Sequence, residues 1–117
     1  VVLLGVHKND TENHATKLAQ KLLNLRIMAD EKGKMNRSIV DTQGEILVIS
    51  QFTLYADTSS RRPGFADAAL PERANALYTF FVQELKKSGL TVQTGEFGAH
   101  MRVSLTNDGP VTITLEN

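Results

Sequence analysis

Apolar positions recur along this chain in two rhythms, a helical period of about 3.6 residues and a strand period of two. The opening Val1–Val6 is a continuous apolar run and predicts a buried strand, halted by the polar turn His7-Lys8-Asn9-Asp10. Asp10 or Thr11 is placed to N-cap a helix. Ala15, Leu18, Ala19, Leu22 and Leu25 then share one helix face, with Lys17, Gln20 and Lys21 on the other, so this helix should lie on something flat. Arg26 to Ala29 reads as extended and Asp30 to Lys34 as a turn, with Gly33 suited to positive φ. Ser38 to Val40 predicts a short strand and Asp41 to Gly44 a second turn. The strongest strand is Glu45 to Thr53, whose unbroken Ile46, Leu47, Val48 and Ile49 predict burial on both faces.

A polar loop from Ala56 to Phe65 follows, and Pro71 sits where a first helical turn tolerates it. Ala74, Leu77, Tyr78, Phe81 and Leu85 form a second helical stripe, Lys86 and Lys87 suit its last turn, and Gly89 ends it. Thr91 to Thr94, Met101 to Thr106 and Val111 to Glu116 predict closing strands. In the last, Val111, Ile113 and Leu115 alternate with Thr112, Thr114 and Glu116, the mark of a strand with one wet face. The pattern as a whole predicts one α+β domain over residues 1–117, with a mostly antiparallel sheet and two helices.

Composition narrows the function classes. With 117 residues, 41% hydrophobic and 22% charged, the chain has the balance of a globular domain. It has no cysteine, which excludes disulfides, thiolate metal sites and a Cys nucleophile, and fits a cytoplasmic location. Formal net charge is zero, so no whole-molecule field attracts nucleic acid; local basic clusters at Lys32, Lys34 and Arg37 and at Arg61 and Arg62 remain available. No apolar run approaches a membrane span, and the opening apolar run, which lacks both a basic leader and a Met, reads as the middle of a longer sequence rather than a secretory signal.

The usual catalytic signatures are missing. His7, His14 and His100 lack metal-ligand spacing and accompanying carboxylates, so no metal site is expected. Asp57 and Asp108 read as turn formers, and Asp67 and Glu96 have no apolar setting that would make them general bases. There is neither a phosphate loop nor a nucleophile elbow. Two segments remain. Ser50-Gln51-Phe52-Thr53-Leu54-Tyr55 ends a strand, where backbone N–H groups can face a developing oxyanion and Phe52 can wall a pocket or stack on a base. Asn107-Asp108-Gly109-Pro110-Val111-Thr112 reads by pattern as a hairpin turn, with a cis Gly-Pro bond as the rarer alternative.

Together these two segments resemble the SQFTL and NxGPVT motifs of the D-aminoacyl-tRNA deacylases, the hydrolases that proofread chirality. The likeness extends, in order, through Leu3-Leu4-Gly5-Val6, Leu25-Arg26-Ile27, Gly33-Lys34-Met35-Asn36, Arg62-Pro63-x-Phe65, Arg73-Ala74-x-Ala76-Leu77-Tyr78 and Gly95-x-Phe97-Gly98-Ala99-x-Met101. A related branch acting on mischarged L-alanine has Pro and Ala where this chain has Ser50 and Phe52, so the segment matches the D-specific branch.

The resemblance implies a partial barrel and a homodimer that needs no cofactor. Ser50, Gln51, Phe52 and Thr53 would surround the ester joining the amino acid to the terminal adenosine of tRNA, with the Phe52 and Thr53 N–H groups as oxyanion donors. Gly109-Pro110 would be a cis dipeptide inserted into the partner's site, excluding an L-side chain, with Asn107 and Met101 on the same substrate-binding side. Lys34, Arg61 and Arg62 are candidates for tRNA phosphates. Such a pocket would also admit glycine mischarged on alanine tRNA. Two routes stay open: Thr53 Oγ as nucleophile, or the RNA's 2′-hydroxyl assisting water, which the lack of a nearby base favours. Two other functions stay open as well, a non-catalytic RNA-binding or dimerisation module and an esterase using Ser50 with His7 or His100. Family members carry a further strand and hairpin ahead of the stretch that matches Val1-Val2-Leu3-Leu4-Gly5.

Overall fold

Five short strands, three α-helices and one 3-10 helix make up the fold in the computed structural model, which describes residues 1–117. In chain order these are β1 (Val2–Leu4), α1 (Glu12–Asn24), β2 (Met28–Ala29), β3 (Met35–Arg37), α2 (Ile39–Thr42), β4 (Ile46–Ser50), the 3-10 helix Phe52–Tyr55, α3 (Pro71–Lys86) and β5 (Val92–Thr94).

The main sheet has the order β1-β4-β5, and both of its pairings are parallel. Val2 lies opposite Val48 and Leu4 opposite Ser50 on one side of β4; Ile46 lies opposite Val92 and Val48 opposite Thr94 on the other. The mostly antiparallel sheet expected from the pattern is therefore corrected. A strand that returns through a helix comes back parallel, and α1 and α3 are the two crossovers here. The sheet is open, with β1 and β5 as edges, and does not close towards a barrel. Among the paired strands the β2–β3 hairpin alone is antiparallel, with isolated antiparallel bridges at His7–Ala68 and Asp57–Gly64.

The core lies where α1 and α3 cover β4. Val48, Phe81 and Leu85 are fully buried, with Leu4, Ala19, Ile46, Tyr78, Val82 and Val92 around them. Every member of the second predicted stripe, Ala74, Leu77, Tyr78, Phe81 and Leu85, is buried. The Tyr78 hydroxyl donates to the Val48 carbonyl at 2.8 Å and fastens α3 to the central strand. Burial raises the Tyr78 pKa, because the anion would lose its water.

Three further differences from the pattern have clear causes. Ser38 to Val40 is not a strand: Ser38 caps α2, its Oγ accepting from the Asp41 N–H at 3.0 Å while Asp41 accepts from the Ser38 N–H at 2.8 Å. That reciprocal box overrides the β-branched Ile39 and Val40. The predicted strand Glu45–Thr53 stops at Ser50, and the chain turns into the 3-10 helix. Residues 101–106 and 111–116 form no strand at all. Their backbones have no ladder neighbour, and Val103, Leu105, Val111 and Ile113 are exposed. An alternating segment becomes a strand only where another strand pairs with it.

Candidate active site

The segment after β4 is built by a change of backbone geometry. The Gln51 N–H donates to the Leu4 carbonyl at 2.8 Å, the last rung joining this strand to β1. Gln51 then takes φ −144 and ψ 83, and the chain coils through Phe52–Tyr55. As the first residues of a helix, Phe52 and Thr53 have N–H groups without a helical acceptor. Neither is paired with a loop carbonyl or with a side chain of this chain. Two adjacent amide donors thus stand free at the end of the central strand.

Gly5 makes room for that coil. A Cβ on it would lie 3.1 Å from the Leu54 Cβ and 3.2 Å from the Tyr55 ring, closer than most such contacts. Tyr55, the last residue of the coil, meets His7 in a T-shaped contact, ring centroids 5.3 Å apart. Its pKa is raised, first by burial and then by the nearby Asp10 and Glu116 carboxylates, so the phenol stays protonated at neutral pH. Gly5 and Tyr55 fall within the sequence motifs, but neither has a role of its own there; the signal for Gly5 is a glycine at a strand end that must accept close approach.

The side chains add polarity without a base. The Gln51 Nε2 donates to Thr53 Oγ1 at 2.6 Å. Asp57, four residues on from Thr53, is a turn former as expected: its carboxylate accepts from the Ser59 N–H at 2.9 Å, which lowers its pKa. Asp67 is paired with Lys8, and its pKa is lowered too. The histidine hydrogen bonds go elsewhere, His7 Nδ1 accepting from the Asn9 N–H and His14 Nδ1 from the Thr11 N–H, with no bond to Ser50. The geometry an esterase based on Ser50 requires is therefore not formed.

Phe52 and Leu54 are exposed, and Phe52 meets Phe65 edge to face with centroids 4.9 Å apart. The Asp57–Gly64 bridge closes the intervening loop and returns Phe65 to Phe52. Arg61 and Arg62 project from this loop; Lys34 is on the β2–β3 hairpin. All three are exposed and none is in an ion pair. Met101 is half-buried, its sulfur beside Gly95 and close to the Ile49 side chain, one residue before Ser50.

Asn107 organises the second segment. Its Oδ1 accepts from the Val111 N–H and its Nδ2 donates to Thr112 Oγ1, both at 3.0 Å. The Gly109-Pro110 bond is cis, the alternative to the plain turn, and Gly109 has φ +145, a conformation side chains avoid. No hydrogen bond within the chain joins this segment to Ser50–Thr53. Asn107–Thr112 is exposed along its whole length.

A family model for D-Tyr-tRNA(Tyr) deacylase matches residues 1–116. The chain belongs to the D-Tyr-tRNA(Tyr) deacylase family. Among similar members, the D-aminoacyl-tRNA deacylase of Thermosipho melanesiensis is 56% identical over 119 residues, covering 100% of this chain and 79% of that protein. The enzyme of the same name from Bacillus cereus (strain B4264) is 56% identical over 117 residues, covering 99% and 80%. This deacylase-family chain also superposes on a solved c-Myc DNA unwinding element binding protein with a TM-score of 0.91 and 42% identity, covering 98% of this chain and 79% of the other. A probable eukaryotic D-amino acid tRNA deacylase shares the fold, at a TM-score of 0.69 and 16% identity over 83% of this chain and 72% of its own.

Proposed function

We propose that this chain hydrolyses the ester of D-aminoacyl-tRNA, releasing the D-amino acid and free tRNA, as a chirality-proofreading deacylase of the cytoplasm. The observation that carries this reading is the pair of unengaged N–H groups at Phe52 and Thr53, in a chain that belongs to the deacylase family throughout its length. Water attacks the ester carbonyl, and the oxygen that gains charge is held by these two amides. The carbonyl carbon then releases the ribose oxygen, which leaves with a proton as the tRNA hydroxyl. Because preorganised amides stabilise the oxyanion without titrating, this half of the chemistry needs no acid–base side chain. The neighbouring 2′-hydroxyl of the RNA supplies the proton transfer that no carboxylate or histidine here is placed to give.

Selection of one enantiomer is assigned to the other segment. Gly109 and Pro110 of one subunit reach the partner's Ser50–Thr53 surface, their carbonyls accept from the substrate's α-ammonium, and an L-side chain meets main chain. Asn107 holds the turn, and Met101 lines the approach. Support for a homodimer comes from the exposed apolar residues Leu54, Val103, Leu105, Val111 and Ile113, which a lone chain leaves in water. Arg61, Arg62 and Lys34 hold the phosphates. Glycine on alanine tRNA, with no side chain to exclude, is a second substrate. The test is hydrolysis of matched D- and L-tyrosyl-tRNA. D-specific release is expected, and equal rates on the two would overturn the assignment.

A further inference from the structure

Phe52 and Phe65 are large apolar rings left in water at the mouth of the proposed site, 52% and 36% exposed. Their edge-to-face contact, with centroids 4.9 Å apart, leaves both side chains exposed. The loop between them is fixed rather than loose. Asp57 and Gly64 exchange both backbone hydrogen bonds, at 2.8 and 2.9 Å, Asp57 turns the chain at Ser59, and Ser60 Oγ donates to the Arg62 carbonyl at 2.7 Å. This frame carries two exposed arginines, Arg61 and Arg62, in the loop that joins the two rings, and neither is in an ion pair with a carboxylate. Asp57 is occupied by the turn and Asp67 by Lys8, so the acids nearest in sequence do not compete for them.

Exposed aromatics beside unpaired arginines have the chemistry that takes unpaired nucleic acid: the rings offer π-faces to bases and the guanidiniums meet phosphates. Neither feature suits a duplex, whose bases are already stacked. We propose that Phe52 and Phe65 form a stacking platform for an unpaired base of the acceptor strand, and that Arg61 and Arg62 clamp the phosphates flanking that base. The inference rests on the deacylase reading and deepens it, because it assigns how the single-stranded end is gripped while the ester lies against the Phe52 and Thr53 amides. Stacking on Phe52 also fixes the ring beside the very N–H that polarises the ester, so base binding and carbonyl placement are coupled through one residue.

The experiment measures binding of a four-nucleotide single-stranded RNA ending in the acceptor sequence, and of the same RNA with its bases removed one at a time, to the intact protein. Phe65 is the residue to change, since it lies outside the oxyanion site. Phe65→Ala should weaken binding of the intact RNA by roughly tenfold, and Phe65→Tyr should restore it. One abasic RNA should lose the same factor with wild type and lose nothing more with Phe65→Ala, as a shared contact requires. Arg61→Ala with Arg62→Ala should flatten the dependence of log affinity on log salt by roughly 1.4, the value for two single-strand phosphates. On D-tyrosyl-tRNA, Phe65→Ala should raise KM and leave kcat unchanged. Penalties for Phe65→Ala and for every abasic RNA that simply add would overturn the platform, as would wild type that does not bind the RNA. A Phe65→Ala chain with normal RNA affinity but altered sedimentation would also overturn it, showing that a second copy covers the pair. Base-dependent binding without any hydrolysis would support the platform and count against the deacylase reading alone.

Discussion

Thr53 Oγ1 already accepts a hydrogen bond from the Gln51 amide, which leaves its own proton free to donate. A hydroxyl in that state is free to donate but is not activated as a nucleophile, because activation needs a base to receive its proton. No carboxylate near it has a raised pKa; Asp57 and Asp67 are both lowered. Thr53→Val keeps the shape and the backbone N–H while removing the hydroxyl. Single-turnover hydrolysis of D-tyrosyl-tRNA should fall by about tenfold, the worth of one hydrogen bond, and Thr53→Ser should stay near wild type. Complete loss in the Val variant would instead make Thr53 the attacker. At this scale the sequence showed which residues could matter but not their geometry. The pattern carries the strand on to Thr53, since Phe and Thr favour strands, yet the free amides exist because the chain leaves the strand at Gln51. Gly5, which admits the coil, carries no chemistry of its own and is visible only once its neighbours are in place.

The elements show where periodicity is a sufficient guide. α1 and α3 carry apolar stripes that meet within the chain: Ala15, Leu18, Ala19 and Leu22 of α1 and Tyr78, Phe81 and Leu85 of α3 share one core with β4, while Ala74 and Leu77 pack with Val6 and Ala69. β4 has its run of four apolar residues and sits centrally. Pairing direction is not written in such patterns: a parallel and an antiparallel strand can have the same side chains, and here the crossovers α1 and α3 decided it. The same elements set the pH response. Glu84 on α3 is tied first to Lys87 and then to Thr16 of α1, and these bonds lower its pKa from 4.5. Asp41, the reciprocal partner in the α2 cap, is lowered from 3.8 by the Ser38 N–H and hydroxyl. A carboxylate with a depressed folded pKa binds fewer protons folded than unfolded, so its stabilisation is present above the unfolded pKa and fades as pH falls through the folded one. Thermal stability should therefore hold steady at neutral pH and decline as acid is added from 4.5 downward. Tyr55 and Tyr78, both raised from 10.0 by burial, set the opposite limit: their contribution is present below 10.0 and is lost at higher pH. Melting curves across the range check this, and a midpoint that rises on acidification below 4.5 would contradict it.

At the scale of the whole molecule, the exposed Gly109-Pro110 turn and an alternating C-terminal segment with no ladder partner point the same way. Alternation in Val111–Glu116 says that one face is meant to be covered, but sequence cannot say by which strand or which copy. If Gly109-Pro110 serves the partner's Ser50–Thr53, a symmetric dimer contains two sites, each made of one surface from either subunit. Two defective chains should then rescue one another. Gly5→Val presses a side chain against Leu54 and Tyr55 and displaces the amide pair of its own subunit. Gly109→Ala forces a Cβ at φ +145 to within 3.1 Å of the Val111 nitrogen and distorts the tip offered to the partner. Each homodimer should lose D-tyrosyl-tRNA hydrolysis while keeping a wild-type circular dichroism spectrum. After unfolding and refolding an equal mixture, half the dimers are mixed, and one of the two sites in each has both surfaces intact. Activity should return to about a quarter of wild type, as random pairing of a two-fold dimer requires. Recovery depends on the subunits exchanging, so mixing the folded homodimers without that step should restore activity only as fast as they dissociate. A mixture that stays inactive, with both variants folded and mixed dimers detected by mass, would mean that each chain builds its site from its own two segments.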